Sequence, residues 1–268
     1  MNILITGGAG FIGSHLAEKL LKEDHSVTVI DNLSTGKYSN IIHLTKKKNF
    51  HYIIDSILNR DVLEDLIKKC DQIFHLAAAV GVKYIIDNPL LSLQTNIGGA
   101  ENVLEFANKY KKKVLMVSTS EIYGKSDNIP FKEEDDRLLG STHISRWSYS
   151  CAKAIDEFFS LAYYREKKLP VVIVRCFNTV GPRQTGQYGM LQVVMNWRVH
   201  TYKMTNEDFF KEYKDISTNS SYKSNRTCGH QKPNSFKGDS TLNLELGSGN
   251  SDSNVNVYPS TSHPFPKS

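Results

Sequence analysis

The stretch Thr6-Gly7-Gly8-Ala9-Gly10-Phe11-Ile12-Gly13 constrains this chain more than any other. It follows a short apolar run, Ile3-Leu4-Ile5, and opens an amphipathic run from Ser14 to Leu21. A buried strand, a glycine-rich turn and a helix are therefore predicted in that order. Glycines let the backbone turn tightly and approach a pyrophosphate, while the helix N-terminus directs its N–H groups at the phosphates. A second strand, Val27-Thr28-Val29-Ile30, ends at Asp31, whose carboxylate suits the hydroxyls of an adenosine ribose. A lone glycine pattern is weak, but one at a strand–helix junction with an acid closing the next strand is a dinucleotide-binding arrangement. Asp31 repels a ribose 2′-phosphate, and Asn32-Leu33-Ser34-Thr35-Gly36 supplies no arginine to welcome one. NAD is expected rather than NADP. Gly7, Gly10, Phe11, Ile12, Asp31 and Asn32 are the first candidate cofactor contacts.

The rest of the pattern extends this start into a sheet. A third strand is predicted at His51–Ile54, closing with Asp55-Ser56, and Asp61–Cys70 has helical spacing. Ile73-Phe74-His75-Leu76-Ala77 reads as a fourth strand opening into Ala78-Ala79-Val80-Gly81. Small residues at a strand's C-terminal end let a flat cofactor approach, which adds Leu76, Ala77 and Ala78 to the candidates. His75 reads as a sheet histidine rather than a ligand or base. A helix is predicted from Leu90 to Tyr110, with Asn96 either a polar bridge near the cofactor or a surface residue. Val114–Ser118 is a fifth strand, Lys125–His143 a long polar loop, and Val171–Arg175 a sixth strand. Strands separated by helical patterns predict an α/β, Rossmann-like doubly wound parallel sheet, with its ligand crevice at the strand C-termini.

A second constellation falls at those same ends. Tyr149 and Lys153 are four residues apart on a helix beginning near Ser148, so they share one face. An ammonium beside a phenol favours the phenolate, which predicts a Tyr149 pKa below its ordinary value of about 10. Thr119, at the end of the fifth strand, is positioned to share a hydrogen bond with that phenolate and a substrate hydroxyl. Together they make a device for drawing a proton from an alcohol, useful where a nicotinamide accepts the hydride.

The formal charge of +5 is mild, and the lysines form short runs without interleaved aromatics, so no nucleic-acid partner is expected. No apolar run approaches membrane-spanning length, and Met1 leads directly into a strand with no basic region or cleavage site. The four cysteines lack paired or metal-like spacing, and Cys228-Gly229-His230 has no partners at ligand distance, so no metal is expected. A cytoplasmic location follows from this reading.

The set Gly7-x-x-Gly10-x-x-Gly13, Asp31, Ser118-Thr119-Ser120-Glu121-Ile122-Tyr123-Gly124, Tyr149-x-x-x-Lys153 and Arg175-Cys176-Phe177-Asn178-x-x-Gly181-Pro182-Arg183 closely resembles the extended short-chain dehydrogenase/reductase family. More narrowly, it resembles the NAD-dependent nucleotide-sugar epimerases, dehydratases and decarboxylases. The resemblance implies that NAD stays bound, and that a nucleoside-diphosphate sugar is oxidised at C4 with Tyr149 taking the hydroxyl proton. The 4-keto sugar is then inverted, dehydrated or decarboxylated. It also implies that Lys153 holds the nicotinamide ribose, Thr119 bonds O4, Asp55 and Ser56 flank the adenine, and Asn178 contacts the sugar diphosphate. Ser120 and Arg183 belong to the substrate side by the same match. Glu121, a carboxylate after the Thr-Ser pair, resembles the sugar decarboxylases and some dehydratases; its bland alternative is a turn cap. Arg146-Trp147 also bears on the subclass. A homodimer packed through helices around Asn96–Tyr110 and Tyr149–Tyr163 is a further implication.

The resemblance covers residues 1–190, read as an NAD-binding domain. Residues 191–268 are a polar tail, rich in Ser and Asn beyond Thr205, with Pro259, Pro264 and Pro266. Such a composition buries too little surface to offset chain entropy. Two readings fit: a native disordered tail, or a reading frame that changed near Met190, leaving the small C-terminal substrate lobe truncated or replaced. The abrupt end of the pattern favours the second. An inactive NAD-binding remnant is therefore the alternative to an active UDP-sugar enzyme, whether UDP-glucuronate decarboxylase-like or UDP-glucose 4-epimerase-like.

Overall fold

The structure is a computed structural model and describes residues 1–127 and 129–184. The tail from residue 191 onward, with its two readings, lies outside the described residues. Six strands form one parallel sheet: β1 (Asn2–Thr6), β2 (Ser26–Ile30), β3 (Phe50–Ile53), β4 (Gln72–His75), β5 (Lys113–Thr119) and β6 (Val171–Cys176). Their order is β3-β2-β1-β4-β5-β6, so the chain reverses direction across the sheet beside β1. The doubly wound sheet predicted from the sequence is the fold observed.

Alternation along each strand divides the core in two. Ile3 and Ile5 of β1, with Val27 and Val29 of β2, pack against Ala17, Leu20 and Leu21 of α1 (Phe11–Lys22). On the opposite face, Leu4, Ile30, Ile73 and Met116 pack with α2 (Arg60–Lys69) and α5 (Gly99–Lys109). Val171 and Ile173 of β6 join that second cluster. Helix α6 (Trp147–Lys167) covers the same side and packs on β5, β6 and α5.

One predicted element is broken. The helix expected from Leu90 to Tyr110 is α4 (Pro89–Leu93), a π-helical turn (Gln94–Gly98) and α5. The turn carries Asn96 inward, where its side chain accepts from Ala79 N at 2.6 Å and donates to Ala79 O at 3.2 Å. A π turn lets one side chain leave the helical ladder, and such turns cluster near functional sites. A short helix, α3 (Val82–Asp87), was not predicted at all. Among the described residues, no helix is long and apolar enough to cross a membrane.

Candidate active site

A cavity of about 810 Å³ opens at the C-terminal ends of the strands. Its floor is the glycine turn. Gly7 has φ +73, and a Cβ there would lie 2.7 Å from Ala77 N, so the backbone of this turn touches the next strand's end. Gly13 is equally close-packed, with a built Cβ 2.3 Å from Gly7 O. Helix α1 begins at Gly10 with no capping side chain, and Gly10, Phe11 and Ile12 line the cavity. Uncapped N–H groups and the positive end of a helix dipole therefore face the space where phosphates would sit.

Asp31 and Asn32 form the next part of the wall. Asp31 accepts from Ala9 N at 2.9 Å and from Leu33 N at 2.8 Å, which fixes its carboxylate at the end of β2. Burial pushes its pKa up despite those bonds. Asp55, Leu76, Ala77 and Ala78 also line the cavity. Asp55 is held by Ser56 N at 2.6 Å and Asn59 Nδ2 at 2.8 Å.

Thr119, Glu121, Tyr149 and Lys153 line the same cavity. Thr119 Oγ1 accepts from Glu121 N at 3.2 Å and caps the 3₁₀ turn Ser120–Tyr123, which leaves its own proton unused by that bond. Ser150 Oγ donates to Glu121 O at 2.8 Å and ties this turn to α6. The predicted lowering of Tyr149 is not what the structure has. Burial of its hydroxyl pushes the phenol up, and Asp156, Glu121 and Cys176 act in the same direction. Lys153 instead donates to Asp156 Oδ2 at 2.9 Å, deep in α6. A carboxylate one turn along the helix, in a desolvated site, holds the ammonium more strongly than a neutral phenol does.

Three expected contacts do not line the cavity. Ser56 and Ser120 each sit beside a residue that does, and neighbouring side chains leave the backbone in different directions. Asn96 is buried and bridges to Ala79, whose neighbours Ala78 and Val80 line the cavity. Asn178 and Arg183 line the cavity beyond β6. Arg183 is engaged elsewhere: it donates to Ser14 Oγ at 3.3 Å and to the carboxylate of Glu18, strapping its loop to α1.

Other lining residues were missed. Lys83, Ile86 and Asp87 of α3 form a side wall, and Thr95, Phe177, Thr179 and Gln184 add to it. Their only sequence signal was proximity to the small-residue run and to Asn178. Arg146 lines the cavity next to Glu121, with its guanidinium 3.6 Å from Glu121 Oε2. His75, read as a sheet residue, pairs Nδ1 with Thr6 Oγ1 at 2.8 Å, while its buried Nε2 has no partner. Behind the wall, Arg175 makes a forked pair with Glu157 at 3.0 and 2.8 Å and donates to Tyr123 OH at 2.9 Å. Among the described residues, no group of His, Cys, Asp and Glu is placed to hold a metal ion.

A family model described as GDP-mannose 4,6 dehydratase matches residues 4–209. A UDP-N-acetyl-alpha-D-glucosaminuronate decarboxylase from Bacillus cytotoxicus is 48% identical over 67% of this chain and 55% of its own. UDP-glucuronic acid decarboxylase 1 from Xenopus tropicalis is 40% identical over 68% of this chain and 42% of its own. The chain thus spans about half the length of the relatives it matches. Among solved structures, the dTDP-glucose 4,6-dehydratase DesIV from Streptomyces venezuelae, with NAD and TYD bound, superposes with a TM-score of 0.66. It is 30% identical, over 74% of this chain and 62% of that one.

Proposed function

The chain belongs to the GDP-mannose 4,6 dehydratase family, within the extended short-chain dehydrogenases/reductases, and from that premise we propose an NAD-dependent enzyme that decarboxylates a UDP-hexuronate after transient oxidation at C4. The observation that carries this reading is that Tyr149, Thr119 and Glu121 line one cavity with the glycine turn, Glu121 N bonding Thr119 Oγ1. Inversion at C4 without loss of CO2 is the neighbouring outcome, and an acid at position 121 favours decarboxylation.

The residues present fit NAD. A Cβ would fill the glycine cradle, the helix above it is uncapped, and Asp31 stands where a ribose would arrive. When bound in that cradle, NAD would supply the redox half of the chemistry as a hydride acceptor and donor. The chain's own groups handle protons and position. Thr119 holds O4, and Tyr149, a phenol while Lys153 is bound to Asp156, takes the proton from the C4 hydroxyl once Lys153 turns to it and favours the phenolate. A ketone at C4 makes the acid at C6 a β-keto acid, which loses CO2 without a strong catalyst. Glu121 then handles the proton at C5. Lys153 and Asp156 set the charge beneath the phenol. Asn178 contacts the diphosphate, while Ser120, Ser56 and Asn96 support their lining neighbours from behind.

We also read the active form as a cytoplasmic homodimer, with no membrane or nucleic acid involved. Helix α6 supports the dimer, because Phe158 is 66% exposed and Ile155 and Leu161 lie beside it on the outer face.

The test is to incubate the full chain with NAD and UDP-glucuronate, and to follow CO2 and the UDP-pentose product. Tyr149→Phe should lower turnover by at least roughly a hundredfold while leaving NAD affinity unchanged. Persistent activity in that variant would remove Tyr149 as the base. A second reading is favoured by the polar, Ser- and Asn-rich composition beyond Thr205, which does not resemble a substrate lobe. On that reading NAD binds and no sugar is converted.

A further inference from the structure

Among the described residues, four basic side chains line the cavity, and three are committed within the chain. Lys83 is paired with Asp87 at 3.0 Å, and Lys153 with Asp156 at 2.9 Å. Arg183 is bound by Ser14 and Glu18. Arg146 differs. Its carboxylate neighbour, Glu121 Oε2, is 3.6 Å away, too long for a hydrogen bond, and half of its side chain is exposed.

Arg146 is nonetheless aimed. Its guanidinium lies 5.5 Å from the centroid of the Trp147 ring. Its backbone is already helical (φ −51, ψ −36), and Tyr149 follows three residues later. Side chains at that spacing rise from one helix face, with Cβ atoms about 5–6 Å apart. In a hexose, C6 is bonded to the carbon next to C4. A sugar whose C4 hydroxyl meets Tyr149 therefore carries its C6 substituent into reach of Arg146.

We propose that Arg146 reads an acidic substituent at C6 and so sets specificity for uronates over neutral hexoses; this rests on the nucleotide-sugar reading above. The flat guanidinium pairs with a carboxylate through two parallel N–H donors, a geometry a lysine cannot copy. The N-terminal end of α6 adds positive potential at the same place. Glu121 sharpens the choice. Its carboxylate repels a second one unless Arg146 stands between them, while a neutral hydroxymethyl group offers the guanidinium nothing to exchange for Glu121.

The experiment measures equilibrium binding of UDP-glucuronate and of UDP-glucose to the full chain with NAD present. Wild type, Arg146→Gln and Arg146→Lys are compared, with thermal melting as the folding control. Arg146→Gln should weaken UDP-glucuronate by roughly tenfold to a hundredfold. UDP-glucose should change by less than about twofold, and Arg146→Lys should recover part of the uronate affinity. Equal weakening of both ligands would assign Arg146 to the diphosphate or to the fold and overturn the proposal. An unchanged uronate affinity would overturn it too. Product formation is scored separately: a wild type that binds UDP-glucuronate yet converts none refutes the catalytic reading, and the affinity ratio still decides the role of Arg146. A wild type that binds neither UDP-sugar overturns both.

Discussion

The two halves of the sheet are built differently. Around β1 and β2 both faces are covered, and Val27, Val29, Leu4 and Ile5 are at most 1% exposed. At the β6 edge, among the described residues, only the α6 face is covered. Val172 and Val174, on the other face, are 59% and 37% exposed. On the covered face Met116, Val171 and Ile173 pack in the core, and beside them stand the Arg175–Glu157 fork, the Arg175–Tyr123 bond, and Tyr123 stacked on Phe131 with centroids 4.5 Å apart. The cofactor half is thus specified by packing and close backbone approach. The half that carries Tyr149 and Arg175 adds charge pairs and caps to its packing. Steric changes should therefore damage the first half, and pH the seam between the two.

The largest expected effect on stability is steric. Gly7→Ala places a Cβ 2.7 Å from Ala77 N on a backbone with φ +73. Left-handed strain and backbone overlap together should cost about 3 kcal/mol and abolish tight NAD binding. Denaturant melts and NAD titration check both. A stable variant that binds NAD normally would show that the cradle yields, and the contrast between the halves would lose its first leg.

The seam carries the next effect. His75 ends β4, bonds Thr6 of β1, and feels Lys153 of α6. Burial depresses its pKa to about 3, with the Lys153 charge adding to the shift. The unfolded chain binds this proton near pH 6.5, so between about 6.5 and 3 it holds more protons than the folded one. Stability is then complete above that range and falls as pH drops, by about 1.4 kcal/mol per pH unit and about 2 kcal/mol by pH 5. Asp31 and Asp156 are pushed up by burial and work in the opposite direction as the carboxylates protonate. The His75 slope is therefore taken as the difference from His75→Asn. Parallel pH profiles for the two proteins would remove His75 from the seam.

Much of this contrast was legible before the structure, and the gaps have physical reasons. The glycine turn and Asp31 placed the first half because close backbone approach leaves a glycine spacing in the sequence. All six strands were found within a residue or two: the inner ones read as apolar runs because both faces are buried, and β6 reads so because its bare face is also valine. The π turn was not legible, because it depends on Asn96 meeting Ala79, a contact made across the fold. Tyr149 and Lys153 were found by spacing, but the phenol's shift was predicted with the wrong sign. Asp156, three residues after Lys153, was the signal that would have corrected it. Ser56 and Ser120 lie off the cavity lining for a simpler reason: a motif names adjacent residues, and their neighbours Asp55, Thr119 and Glu121 take the lining positions.

The smallest effect tests the bare edge directly. Val29 and Val174 lie on the same face of one sheet, the first 1% exposed and the second 37%. Val29 packs on α1, tightly enough that a Cβ on Gly8 would come within 2.4 Å of its Cγ1. Val→Thr at position 29 buries a hydroxyl with no designed partner and should cost about 2 kcal/mol. The same change at Val174 should stay within about 0.5 kcal/mol, because its hydroxyl meets water. Two urea melts decide the matter. Equal costs would mean that the β6 face is covered in the working protein, and the asymmetry between the halves would not be a property of the folded chain.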